Sequence, residues 1–453
     1  MRIRTTLGLI LTSCLWFAAA CMPVIQPERR AQPPKPAQKL AYVSGNQLII
    51  TTYPAGKIDT VDTCTPAPNC RFGALRWSPT GAYLSYLKKF TETGDGLFVV
   101  DESHTVRAVT TPSATLALAF TPTWSPDGKR LVYLLDTPDV APLSTEPLSA
   151  KGAQVGGGAQ RSEVWVSAAP FANGGHKAGD VHILVGCGGG GYTASEQLYW
   201  QEGLATWPHG FPDLALAWLP TDVLLFGRTC PGPGIGQFDM KTGREQAPLD
   251  PNYLLEFTVD RTGQRLAAVT WDHQIALAQV DGAHLITQSL TAPVQPANKY
   301  PVTGTVSAGG VFFGPTSRRL YFTTRRFLGA PALDPDKAMH YLDLYADLFN
   351  FSPAFLFYQT TLFAVTDNDF TETKPLVEMD DYGVGSLTEA ANGDILYVRI
   401  PNDSALMAGI KAEQPVQAVA KLFPRPAIMR LPANGGATEV VVENAGQLAL
   451  APP

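Results

Sequence analysis

Residues 121–135 read Thr-Pro-Thr-Trp-Ser-Pro-Asp-Gly-Lys-Arg-Leu-Val-Tyr-Leu-Leu, and the order of residue types in this stretch dictates its local structure. A short lead into Trp124 is followed by Ser125-Pro126-Asp127-Gly128 and then by the apolar run Leu131 to Leu135. Proline presets φ, aspartate hydrogen-bonds to nearby backbone and glycine accepts positive φ, so the middle is a tight turn. The flanks are apolar, aromatic and β-branched, which is strand composition. The stretch is a β-hairpin.

The phrase recurs. Residues 74–87 read Ala-Leu-Arg-Trp-Ser-Pro-Thr-Gly-Ala-Tyr-Leu-Ser-Tyr-Leu, and weaker copies occupy 214–226, 255–269, 311–324 and 384–398. Trp77 and Trp124 are 47 positions apart, and the interval holds two further strand-like runs at 96–100 and 106–110. Four short strands at a period of about 40–50 residues form one β-propeller blade. The chain is therefore expected to be all-β, with blades near 72–112, 116–185, 212–248, 252–290, 308–378 and 382–444. Three strand-like runs in Leu40–Asp62 and one in Gln447–Ala451 remain, and pairing them completes a seventh four-stranded blade. Joining the N- and C-terminal strands closes the ring and removes exposed sheet edges. The stretch hardest to assign to a strand is 186–212, which leaves six or eight blades as the alternatives to seven.

Trp124-Ser-Pro-Asp-Gly-Lys-Arg-Leu131 resembles the PD40, or WD40-like, repeat of TolB-type propellers, and Trp77-Ser78-Pro79-Thr80-Gly81 is similar to it. The resemblance covers most of 39–453 in pattern and implies the fold, because propellers host unrelated activities. Some peptidases add an α/β-hydrolase domain to such a propeller. Here no Gly-x-Ser-x-Gly elbow, phosphate loop or His-Glu-x-x-His motif is present, so a peptidase of that kind is not expected.

Residues 1–20 have the build of a signal peptide: Arg2 and Arg4, then an apolar run from Leu7 to Ala20 that is short for a membrane span. The run ends Phe17-Ala18-Ala19-Ala20-Cys21, which resembles the lipobox of bacterial lipoproteins, with Ala18 where leucine is usual. Cys21 is then the lipidated residue; the alternative is simple secretion after cleavage at Ala20. Residues 21–38 contain Pro23, Pro27, Pro33, Pro34 and Pro36 and read as a stiff tether, leaving 39–453 as the propeller domain. With Cys21 acylated, Cys64, Cys70, Cys187 and Cys230 can pair completely, and export places them where disulfides persist. Cys64–Cys70 and Cys187–Cys230 are the favoured pairs among three possible pairings.

Charged residues make up 16% of the chain, below the average of about 25%. The net charge is −6, and no basic cluster stands out, which argues against nucleic acid as a partner. The Gly-rich 186–191 lacks the lysine and helix of a phosphate cradle, the acidic pairs lack calcium-loop spacing, and no His pair has zinc spacing. No metal or cofactor is expected.

Four long insertions, 136–161, 186–211, 327–354 and 401–426, fall on b–c or d–a connections, which share one face of a propeller. Loops of this length are commonly functional. Binding candidates on that face are Tyr192, Tyr199, Trp200, Trp207, His209 and Phe211, together with Tyr341, Tyr345, Phe351 and Phe355 around a helical pattern at 334–350. These features point to a monomeric, non-enzymatic binding platform in the cell envelope, held to the membrane by its lipid anchor alone. Its partner would be a protein, peptide or glycan. The alternative is a propeller enzyme that acts on a carbohydrate or small molecule with carboxylates in the channel.

Overall fold

Each hairpin of the repeat extends into a four-stranded antiparallel sheet, and seven such sheets form a seven-bladed propeller. The computed structural model describes residues 37–54, 56–65, 70–90, 94–110, 121–136, 160–171, 174–183, 216–228, 234–250, 254–270, 275–281, 284–288, 306–314, 317, 319–327, 340, 344, 358–366, 373–379, 381–401, 404–422 and 425–453. With strands lettered a to d from the channel outward, the inner strands of blades 1 to 7 are Ala445–Leu450, Cys70–Trp77, Thr123–Trp124, Leu216–Trp218, Leu254–Val259, Val306–Phe313 and Asp381–Glu389. Blades 2 to 7 span 70–108, 123–183, 216–250, 254–288, 306–379 and 381–442, close to the spans read from the hairpin repeats.

Blade 1 joins the two ends of the chain. Its inner strand Ala445–Leu450 pairs antiparallel with Gln38–Ser44, setting Leu40 opposite Leu450 and Tyr42 opposite Leu448. Gln47–Tyr53 and Asp59–Thr63 complete the sheet outward. Leu448, Leu40 and Tyr42 are buried with Leu396, Val398 and Ile428 of blade 7, so the closure carries core as well as hydrogen bonds. Gln38 adds a polar clasp: its Nε2 donates to Ala451 O (2.8 Å) and its Oε1 accepts from Ala391 N of blade 7 (2.6 Å). The disulfide Cys64–Cys70 then ties the end of blade 1 to the start of blade 2, as the cysteine count suggested. Cys187 and Cys230 lie outside the described residues.

One turn geometry repeats between strands a and b. The fourth residue of each turn donates its N–H to the carbonyl of the first: Gly81 to Ser78, Gly128 to Ser125, Asp222 to Leu219, Gly263 to Asp260, Ser317 to Gly314 and Gly393 to Ala390. The donor is left-handed in all six, with φ between 56° and 83°. Glycine is the low-cost residue there, and Asp222 and Ser317 mark the copies that are hardest to recognise in sequence. A second bond runs from the first turn residue to the residue opening strand b, as from Ser78 N to Tyr83 O. Blade 1 has no such turn, yet Ala451 N donates to Lys39 O (2.8 Å) in the equivalent way. Ala451 and Lys39 thus reproduce, across the closure, a bond that the other blades make through a loop.

The same positions fasten neighbouring blades. The residue that opens strand b meets the residue that closes the inner strand of the next blade. Lys39 lies over the Trp77 ring (5.7 Å), Arg130 over Trp218 (4.5 Å) and Arg265 over Phe313 (5.5 Å). Tyr83 stacks on Trp124 at 6.0 Å, and Val223 and Val259 pack into one cluster. Such cation–ring contacts contribute about 0.5–2 kcal/mol each, according to their exposure. Trp77 and Trp124 also donate their Nε1 protons back to the preceding inner strand, at Ala449 O (3.1 Å) and Arg76 O (3.0 Å).

Leu448→Ala is expected to lower unfolding free energy by about 2–4 kcal/mol, the usual range for a buried leucine. Val440→Ala on the outer strand of blade 7, where the side chain is 53% exposed, should change it by less than about 0.5 kcal/mol. Urea denaturation monitored by tryptophan fluorescence checks both, and equal effects would contradict the closure as a stabilising element.

Candidate functional site

Antiparallel order puts the a–b and c–d turns on one face of the ring and the b–c and d–a connections on the other. On the first face no connection is longer than 169–175 or 432–438. The second face carries 109–122, 137–159, 184–215, 289–305, 328–357 and 402–426. A rigid ring of sheets bearing long loops on one side is how scaffolds present binding surfaces.

The described residues of this face include a pair of helices in the blade 7 insertion, α1 (Ser404–Lys411) and α2 (Val416–Ala420). Leu406 and Ile410 lie one turn apart on α1 and are buried, as is Val419 of α2. α1 stops at Glu413, whose φ is 51°, with Glu413 N donating to Ile410 O (3.0 Å) and Gln414 N to Gly409 O (3.1 Å). That is the two-bond arrangement in which glycine is the usual left-handed residue. The Glu413 carboxylate instead reaches the insertion of blade 6 and lies 3.5 Å from His340 Nε2. Two loops from neighbouring blades therefore touch on the elaborated face.

The inner strands line the channel, and several carry β-bulges. Register skips at Gln447 in blade 1, Ala74-Leu75 in blade 2, Gly309-Gly310 in blade 6 and Ser386-Leu387 in blade 7. Arg76 Nη1 donates to Leu216 O (3.4 Å), spanning the two-residue inner strand of blade 3. Among the described residues, the inner-strand carboxylate whose side chain is placed is Glu389, and it sits in a blade junction. A pair of channel carboxylates suited to glycoside hydrolysis is not found among the described residues.

Glu389 occupies the place where blades 2, 3 and 4 have tryptophan. It is 9% exposed, lies 3.6 Å from Arg319 Nη1, packs on Gly314 and leaves Oε2 buried without a hydrogen bond. Burial pushes its carboxyl above the usual carboxylate range, outweighing the Tyr321 phenol and the Arg319 charge, which pull the other way. Asp394 is the opposite case. It accepts from Tyr53 Oη (2.8 Å), Asn392 Nδ2 (2.6 Å), Arg430 Nε (2.9 Å) and Ala433 N (2.9 Å). Burial raises its carboxyl, but these donors more than offset that and hold it below the usual range. In the junction of blades 1 and 2, Asp62 accepts from Tyr86 Oη (2.5 Å) and Lys88 Nζ (2.7 Å), and the ammonium is held between the rings of Phe72 and Phe98. These groups fasten blades together. Sequence reasoning missed them because each pairs residues from different repeats.

The sequence candidates Tyr192, Tyr199, Trp200, Trp207, His209, Phe211, Tyr341, Tyr345, Phe351 and Phe355 lie outside the described residues, as does Cys21. Within the helical pattern at 334–350, the described positions His340 and Leu344 are helical and exposed. The helices at 404–420 were readable only as a long insertion. The i, i+4 pair Leu406 and Ile410 was the available signal. Among the described residues no group of three His, Cys, Asp or Glu is placed to hold a metal ion, and no helix is long and apolar enough to cross a membrane.

No protein-family model matches the chain, and no curated protein matches it in sequence. Solved structures match it in fold. TolB from Acinetobacter baumannii is 14% identical, with a TM-score of 0.39 over 75% of this chain and 63% of that one. A periplasmic gluconolactonase from Pseudomonas aeruginosa is 11% identical, with a TM-score of 0.44 over 92% of this chain and 100% of that one. A puromycin-hydrolyzing peptidase from Mycobacterium tuberculosis is 12% identical, with a TM-score of 0.48 over 90% of this chain and 53% of that one. The chain thus spans less than two thirds of the TolB and peptidase chains. The propeller that the Trp77 and Trp124 repeats implied is borne out by the seven four-stranded sheets themselves.

Because the folded chain binds the Glu389 proton more tightly than the unfolded chain, stability from this group is present at low pH. It is lost as pH rises from the ordinary carboxylate value through the raised folded value. Glu389→Gln should therefore raise the melting temperature relative to the parent at pH 7 and less so at pH 4. A difference in Tm that does not change with pH would contradict the burial of an ionising carboxyl at this junction.

Proposed function

We propose that the chain is an exported, lipid-anchored binding platform that captures a protein, peptide or glycan on its b–c/d–a face. The single observation that carries this reading is the one-sided elaboration of the ring: long connections crowd one face, while those of the other are no longer than 169–175 or 432–438. In this reading, 1–20 is the signal peptide, Cys21 carries the lipid, 21–38 is the tether and 39–453 is the domain held out for binding. A Pro-rich segment of that length spans about 50 Å when extended at about 3.1 Å per residue, enough to clear a membrane surface. Tyr192, Tyr199, Trp200, Trp207, His209 and Phe211, with Tyr341, Tyr345, Phe351 and Phe355, supply amphipathic anchors of the kind that dominate binding energy. Cys187–Cys230 would fasten the 184–215 loop to blade 4. Among the described residues no pair of acid and base groups favours an enzymatic reading.

Metabolic labelling with an alkyne-bearing palmitate should tag the parent and be lost in Cys21→Ser, which would leave the chain soluble after osmotic release. Labelling that persists in the variant overturns the anchor. Replacing 328–357 by a short Gly-Ser linker should abolish crosslinking to envelope components in intact cells while the ring still melts cooperatively. Unchanged crosslinking overturns the assignment of that face.

A further inference from the structure

Blade 7 carries two Asn-Gly pairs on its turns, and their surroundings differ. Asn392-Gly393 ends the a–b turn, and Asn434-Gly435 lies in the c–d turn between Ala427–Leu431 and Glu439–Val442. A further pair, Asn173-Gly174, has its asparagine outside the described residues. The two blade 7 turns touch, since a Cβ placed on Gly393 would come within 3.1 Å of the Ala433 Cβ. An asparagine before glycine is open to attack on its own side chain: the glycine nitrogen gives up its proton and bonds to the asparagine Cγ. Glycine favours this because it has no Cβ to obstruct the approach and its backbone turns freely. The dipeptide is the same in both turns, so the fold decides which pair reacts.

Asn392 is held on every side. Its Nδ2 donates to Asp394 Oδ2 (2.6 Å), its Oδ1 accepts from Asp394 N (2.9 Å), and Gly393 N donates to Ala390 O (2.7 Å). Attack by the Gly393 nitrogen would break all three bonds in a half-buried turn. Asn434 is exposed, as are Ala433, Gly435, Gly436 and Ala437 around it, and among the described residues its amide makes no hydrogen bond. A Cβ placed on Gly435 would meet nothing within 4 Å. What restrains this pair is one bond, from Gly435 N to Pro432 O (3.0 Å). A solvent-exposed turn bond adds little net stability and opens locally without unfolding the domain.

We propose that Asn434 is a modification site: in the folded chain it converts to aspartate and isoaspartate through a cyclic imide with Gly435, while Asn392 persists. The bond from Gly435 N to Asn434 Cγ forms, and the side-chain nitrogen leaves as ammonia with the proton that Gly435 gave up. Water then opens the ring. Cleavage between Cγ and the nitrogen gives aspartate; cleavage between the main-chain carbonyl carbon and the nitrogen gives isoaspartate, whose backbone is longer by one carbon. Water is the only co-reactant. The lengthened link begins one residue from Ala433, whose N–H donates to Asp394 Oδ1 (2.9 Å), and Asp394 also accepts from Tyr53 Oη of blade 1 (2.8 Å). Isoaspartate at 434 therefore draws a donor away from the carboxylate that ties blade 7 to blade 1, and the modified chain is less stable. This site owes nothing to the loop face, so either reading can fail alone.

Incubation of the full folded chain at pH 8, followed by tryptic peptide mapping and labelling with isoaspartyl methyltransferase, tests the proposal. Arg430 is the last basic residue, so Asn434 falls in the peptide Leu431–Pro453, where fragmentation separates it from Asn444. Asn434 should gain the amide-to-acid mass difference and accept methyl label at least tenfold faster than Asn392. In urea the two should convert at comparable rates, because the fold that protects Asn392 is gone. Asn434→Gln, which cannot close the same ring, should remove the label from this peptide and keep its melting temperature through the incubation, while that of the parent falls. The proposal is overturned if Asn434 keeps its amide in the folded chain, if Asn392 converts as fast, or if the isoaspartate-bearing parent melts like fresh protein.

Discussion

A ring of sheets exists only if its last interface forms, and here that interface is a ladder between Ala445–Leu450 and Gln38–Ser44. Blades 2 to 7 are each continuous in sequence, so their strands meet at little entropic expense. The closing pair must instead bring together segments about 400 positions apart, a cost that grows only slowly with loop length but arrives before any contact compensates it. What compensates is specific. Leu40, Tyr42 and Leu448 bury against blade 7, Gln38 clasps both Ala451 and Ala391, and Ala451 N makes the bond to Lys39 O that a turn makes elsewhere. Without that strand, Gln38–Ser44 would present an unpaired edge to the channel, and blades 7 and 2 would lose core packed against their faces.

Around this closure, one small geometry is used over and over. A left-handed residue at the fourth turn position lets the hairpin reverse tightly, and that reversal places the opening residue of strand b beside the next blade. The contact made there changes chemistry as it goes round: a cation over an indole, a tyrosine on a tryptophan, two valines, a guanidinium over a phenyl ring, and finally Arg319 with Glu389. The position is geometric, and its occupants need only fill it. This tolerance explains how blades 4, 6 and 7 keep their place with few residues of the Trp-Ser-Pro-Asp-Gly phrase. It also makes Glu389 the junction residue whose fit depends on protonation.

The two faces of such a ring have unequal freedom. The a–b turns are committed to fastening blades, and the c–d turns stay short. The opposite connections carry no such duty, and they have grown, to the point that Glu413 of one insertion reaches His340 of another. Ligand recognition can therefore develop on that face without loosening the scaffold.

Much of this was legible in the amino-acid order, because turn chemistry and strand composition are local. Ser-Pro-Asp-Gly between apolar runs specifies a hairpin wherever it stands, the period gives the blades, and leftover strand-like runs at the two ends require closure. Cys64 and Cys70 are near enough in sequence to be paired on sight. Tertiary structure alone decided what the repeats do to one another. Lys39 and Trp77 belong to different blades, and no local rule joins them. Ala74, Ser386 and Gln447 carry no sign of left-handed backbone, since that conformation is imposed by the packing of inner strands and not by their own preference. Glu389 could be matched to a tryptophan position only once Ala390–Gly393 was seen to make the same turn as Ser78–Gly81. Local order is written in neighbouring residues; contacts between blades depend on the ring that those residues close.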